Sequence, residues 1–158
     1  MPNYPTKEEI LAREHLFKRE LLANLKQWKR EHYNGSWGTK TLEQKVASLV
    51  EMVDVLDDRQ RTVRVTVGEI FRYFPGQRTL EIDGRNPSIV STLHEMGHHV
   101  KGHSELAACR WSVWLFKKVF PRAYEQLEWQ GHMLRRRADS LSRYVENETL
   151  TDVAQDLF

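Results

Sequence analysis

Two histidines four residues apart with a glutamate beside the first, His94-Glu95-Met96-Gly97-His98, are the residues of this chain whose types and spacing could do chemistry. On an α-helix, residues four apart lie almost above one another, so His94 and His98 can offer two imidazole nitrogens to one ion. Glu95 is then placed to reach a water on that ion rather than the ion itself. Two histidines, a carboxylate and an open water position are the donor set of a catalytic zinc. The ion makes the water more acidic, and the glutamate takes its proton as the water attacks a polarised carbonyl. Clustered histidines on an ordinary surface or core helix are the bland alternative.

The elements around the motif agree with the metal reading. Thr79–Asp83 alternates Leu80 and Ile82 with polar residues, as a short strand does. Asp83-Gly84 signals a turn, and Asn86-Pro87 supplies an N-cap and a proline at the first helical position. Ile89, Val90, Leu93, Met96, Gly97 and Val100 then form the apolar or small face of a helix that ends at Gly102. Ser104 reads as the N-cap of a further helix, Glu105–Phe120, which doubles back and could bring Glu105 over the two histidines. Zinc needs a third protein ligand, and by position the candidates are Glu105, His103, Glu125 and Glu128, with Cys109 and His132 more remote. Cys109 is otherwise read as a small buried residue. His99 points about 100° away from His98 on the helix and is excluded as a direct ligand.

The stretch resembles the zinc-peptidase family typified by the ImmA/IrrE proteins. In that family the H-E-x-x-H helix is followed by one that opens near an acidic residue, carries small residues and an aromatic, and often ends at a proline. Here the matching residues are Glu105-Leu106-Ala107-Ala108-Cys109-Arg110-Trp111-Ser112, then Leu115-Phe116 and Phe120-Pro121. The chain departs from the pattern at Ala107 and Cys109, where a second acidic residue and an asparagine are usual. The resemblance covers roughly residues 79–121, about a quarter of the chain. It implies a zincin-like fold, zinc held by His94, His98 and Glu105, and hydrolysis of a protein or peptide substrate with Glu95 as general base. It also admits a binding or regulatory module without turnover, DNA-associated or not, or a protease that cleaves a DNA-binding repressor. Metzincin spacing does not apply, because the glycine after His98 is Gly102, four residues on.

Length and composition fit one soluble domain of 158 residues, with 40% hydrophobic and 29% charged residues. Net charge is +2, from 24 basic and 22 acidic side chains, which gives no ground for a nucleic-acid partner. No apolar run approaches the ~20 residues of a membrane span. The polar start and the single cysteine make the cytoplasm the expected compartment. No residue sets an oligomeric state.

The expected architecture is therefore α+β and mostly helical: a zincin-like domain with a small β-sheet beside the motif helix. Residues 1–60 form a helical scaffold, residues 61–121 the small sheet and metal-site core, and residues 122–158 a C-terminal helix and tail. In detail, Lys7–Tyr33 reads as one long amphipathic helix. After a break at Asn34–Gly38, Trp37 caps the core, and a second helix opens at Thr41 with a Thr41/Gln44 capping box. Thr62–Thr66 reads as a strand. The Thr66/Glu69 pair then suggests a short helix through Phe74, although the same aromatic run could instead pair with Thr79–Asp83, which is expected at the sheet edge. Tyr73 is read as a core tyrosine able to donate a hydrogen bond, and His15 and His32 as surface residues. Arg122–Tyr144 is expected to be helical, with Gly131 as a kink, Arg135–Arg137 a solvated basic face and residues 145–158 an acidic tail.

Overall fold

A computed structural model of the chain describes residues 4–136. Six helices and two small sheets appear among them, so the fold is α+β and mostly helical. The first helices are α1 (Lys7–Leu11), α2 (Arg19–His32) and α3 (Leu42–Leu56). The expected long N-terminal helix is thus broken in two. A continuous helix would use the carbonyls of Ile10 and Arg13 internally, but both are taken by the helix that carries Glu105. The Trp114 indole donates to Ile10 O at 3.0 Å and the Arg110 guanidinium to Arg13 O at 3.1 Å. The break also buries Ile10 completely.

Helix α3 starts as its sequence dictates: the Thr41 hydroxyl accepts from Gln44 N, and the Gln44 side chain accepts from Thr41 N. It ends at Asp57. The apolar stripe expected from the sequence, Leu42, Val46, Leu49, Val50, Val53 and Leu56, is buried in part: Leu49, Val53 and Leu56 are inside together with Met52 and Val55, while Leu42 and Val50 are exposed. Trp37 is fully buried, as a core cap should be.

The first sheet has strands β1 (Arg64–Gly68), β2 (Arg72–Phe74) and β3 (Thr79–Asp83) in the order β1-β3-β2. Strand β1 runs parallel to β3, and β2 antiparallel to it. The short helix favoured from Thr66/Glu69 does not form. The amides of Glu69 and Ile70 donate instead to the Glu81 carboxylate, at 3.0 and 3.3 Å, and free residues 72–74 to pair with β3 across the Pro75–Gln77 turn. Strand β3 is therefore the central strand and not the expected edge. Its Leu80 and Ile82 are fully buried.

Helix α4 (Ile89–Lys101) carries the motif, and α5 (Glu105–Val119) follows after three residues. The N-cap of α4 is Ser88, whose hydroxyl accepts from Ser91 N, and not Asn86. Asn86 N is held by the Asp83 carboxylate in the preceding turn. Ser104 caps α5 as expected, accepting from Ala107 N at 3.1 Å. The two helices pack against one another at closest approach: a Cβ on Gly97 would lie 2.7 Å from Ala108 O. Any larger residue at position 97 would force the helices apart.

The expected C-terminal helix stops early. Helix α6 (Pro121–Gln126) gives way to a hairpin of β4 (Leu127–Gln130) and β5 (Met133–Arg136). Gly131, expected as a kink, lies in the two-residue turn at φ 64°, a conformation that favours glycine. Arg137, the remainder of the expected helix to Tyr144 and the tail from Val145 lie outside the described residues. One hydrophobic cluster joins the helices, β3 and the hairpin, with Leu25, Trp28, Leu49, Leu93, Phe116 and Leu134 among its members. No helix among the described residues is long and apolar enough to cross a membrane.

Candidate metal centre

The packing of α5 on α4 sets a carboxylate against the two histidines. Glu105 Oε1 lies 2.6 Å from His98 Nε2 and 3.4 Å from His94 Nε2. The other side of His98 is fixed, because Nδ1 lies 2.8 Å from the Gly102 carbonyl and must donate its proton there. A neutral His98 then turns a bare lone pair towards a carboxylate oxygen. Two acceptors at that distance need a proton or a metal ion between them. The same carbonyl bond orients the ring and selects Nε2 as the ligating nitrogen.

The charges follow from this geometry. Hydrogen bonds from His94 and His98 hold the Glu105 carboxyl far below the usual carboxylate range. The hydrogen bond to Glu105 raises His98, against the opposing effect of burial. Without an ion the pair is a histidinium and a carboxylate. Imidazole nitrogens and a carboxylate oxygen are donor types that would fit a zinc ion in that proton's place. Ligands on a tetrahedral zinc lie about 3.3 Å apart, so the His94–Glu105 separation suits one ion as it stands. The 2.6 Å contact to His98 must lengthen by a small side-chain rotation.

Glu95 lies beside this group, with Oε2 3.9 Å from His94 Nε2. Its Oε1 accepts from Tyr73 N on β2 at 2.8 Å, so the sheet edge fixes one oxygen and leaves the other towards the histidines. Burial pushes the Glu95 carboxyl up, which brings it closer to the range of a general base. Tyr73 is held in turn. Its hydroxyl is 2.6 Å from His99 Nδ1, and His99 Nε2 is 3.5 Å from the buried Asp57 carboxylate. Asp57 itself accepts from the Thr62 amide and hydroxyl and from Val63 N. With Nε2–H turned to Asp57, His99 accepts the phenolic proton, so Tyr73 does not donate it into the cleft.

Arg72, Tyr73, Pro75, Glu95, His98 and His103 line an open cleft of about 430 Å³. Strand addition at Thr79–Asp83 is closed off, since β3 is paired on both sides. At the edge strand β2, the amide of Tyr73 is already bonded to Glu95.

Of the candidates for the third position, Glu105 reaches both histidines. His103 lines the cleft, Glu125 is exposed on α6, and Glu128 is engaged by Gln130 Nε2 at 3.2 Å. His132 comes closer than its sequence distance suggested. The hairpin sets its Nε2 3.7 Å from Glu105 Oε2, with its ring stacked on Tyr4 at 4.4 Å. Cys109 is also at the site, one helical turn from Glu105, and that i, i+4 spacing was the available signal for it. His15 and His32 are not free surface residues, since His15 stacks on Phe17 and His32 meets Glu51 at 2.6 Å. Neither belongs to the site. No protein-family model, curated protein or solved structure matches this chain.

Proposed function

We propose that the chain is a zinc-dependent peptidase. The observation that carries the reading is that one carboxylate oxygen, Glu105 Oε1, lies within reach of both His94 Nε2 and His98 Nε2, with the second oxygen of Glu95 3.9 Å from His94 Nε2. His94, His98 and Glu105 would hold the ion. Zinc, when bound, supplies Lewis acidity to a carbonyl and lowers the pKa of a water. The chain's own contribution is proton handling. Glu95 receives the proton of the attacking water on Oε2 and passes it to the departing amine, while Tyr73 N keeps Oε1 in place. The cleft beside β2 admits an extended peptide, with Arg72 at its rim.

The unaltered chain and two variants test this together. The purified full chain is expected to carry about one zinc, as elemental analysis will measure, and to hydrolyse unfolded protein substrates. Glu95→Gln should keep the zinc and lose at least two orders of magnitude in rate, the scale of general-base catalysis. Glu105→Ala should lose zinc and activity together. Zinc bound with unchanged hydrolysis in Glu95→Gln would sink the assigned role of Glu95. Zinc bound with no hydrolysis in the wild type would favour a metal-holding binding module.

A further inference from the structure

The two helices of the centre each present a pair of donors one turn apart: His94 and His98 on α4, Glu105 and Cys109 on α5. The proposed zinc centre uses three of these four groups. Cys109, the only cysteine in the chain, is 1% exposed, and its Sγ lies 3.8 Å from His94 Nδ1 and 3.8 Å from Glu105 Oε2. Ligating atoms of His94, Glu105 and Cys109 all fall within 4.8 Å of one another. For a tetrahedral ion with metal–sulfur bonds of about 2.3 Å and metal–nitrogen bonds of about 2.0 Å, neighbouring sulfur and nitrogen ligands lie roughly 3.6 Å apart. The observed separations are close to that edge. From the hairpin, His132 Nε2 approaches the same Glu105 oxygen at 3.7 Å.

We propose that His94, Glu105 and Cys109 form a thiolate-containing site for one thiophilic divalent cation, with His132 as the adjacent donor. This deepens the metal centre proposed above and rests on two of its ligands. It does not rest on peptidase activity. A neutral imidazole has one lone pair, and His94 turns Nε2 towards the His98 side and Nδ1 towards Cys109. The two donor sets are therefore alternatives for one ion. In the outward set, His94, His98 and Glu105 leave a position open to the cleft. In the inward set the ion is drawn towards α5. Binding there breaks the Cys109 S–H bond, forms a metal–sulfur bond and releases the proton to solvent. A thiolate ligand selects softer ions over magnesium or calcium.

Cobalt(II) is the probe. Chelator-stripped full chain is titrated with cobalt and followed by absorption, with Cys109→Ser alongside and circular dichroism as the check on folding. The expected result is visible ligand-field bands saturating at one cobalt per chain, together with a near-ultraviolet thiolate-to-cobalt charge-transfer band. The serine variant should keep its helical spectrum and lose the charge-transfer band. Ligand-field bands without charge transfer in the wild type would overturn the thiolate site and leave the histidine centre standing. A charge-transfer band that persists in the variant would overturn it too. No bands at all would remove both. If the variant fails to fold, the wild-type spectrum still decides, because no other cysteine can give the band.

Discussion

At the scale of single residues, the site is a proton-binding device whenever it lacks an ion, and that fixes how stability should vary with pH. Glu105 is held far below its ordinary value of 4.5 by hydrogen bonds from His94 and His98. It contributes stability that is present above about pH 4.5 and is lost as pH falls through its depressed value. His98 is raised above 6.5 by the same contact. Its contribution is full below about pH 6.5 and is lost as pH rises through its raised value. Glu95, raised by burial, acts in the same direction as His98, since its ionised form is the disfavoured one. Chelator-treated protein should therefore show its highest urea midpoint between about pH 4.5 and 6.5 and a lower one at pH 8. Zinc competes with the His98 proton, so the added stability from saturating zinc should grow over the range in which the metal-free protein weakens. Urea titrations with and without zinc measure both trends. A flat profile for the metal-free protein would contradict the coupling between Glu105 and His98.

At the scale of elements, the decisive contact is the one between α4 and α5. Helix propensity alone favours alanine over glycine by about 1 kcal/mol, so Gly97→Ala would be stabilising in an isolated helix. Here the added Cβ meets the Ala108 carbonyl at 2.7 Å, and a backbone atom in a packed helix cannot turn aside. The substitution is expected to destabilise the protein by about 1–3 kcal/mol, the usual cost of overpacking. It should weaken zinc binding as well, because α5 carries Glu105 away from His94 and His98. Urea denaturation and a zinc competition assay read the two effects. A more stable variant with unchanged zinc affinity would show that the helices have room to spare.

For the whole molecule, the N-terminal segment matters more than its short helix suggests. Ile10 is fully buried against α5, Trp114 and Arg110 bind the carbonyls of the broken helix, and Tyr4 stacks over His132. The N-terminal segment therefore supports the helix that carries Glu105 through Arg110 and Trp114. Ile10→Ala should cost about 2–5 kcal/mol, as large-to-small changes in a core do. Its metal stoichiometry should be unchanged, because no ligand moves with it. Calorimetry and elemental analysis on the same sample separate the two effects. Loss of zinc from a folded variant would place the N-terminal segment in the site itself.

How far the sequence reaches can be argued from particular residues. Spacing along one helix is a local property, so His94, Glu95 and His98 were legible as a possible ion site from their i, i+4 geometry. The Thr41/Gln44 and Ser104 caps and the strand Thr79–Asp83 were legible for the same reason. The sequence alone determined an α+β, mostly helical chain with one motif helix. Only the tertiary structure decided the rest. The N-terminal helix breaks because Trp114 and Arg110 claim its carbonyls, and β2 forms because Glu81 claims the amides of Glu69 and Ile70. The C-terminal hairpin brings His132 back to Glu105, and the backbone contact of Gly97 with Ala108 sets Glu105 and Cys109 against the histidines. Each of these is a partner distant in sequence outbidding a local preference, and long-range hydrogen bonds and close packing leave no periodic trace in the residues that make them.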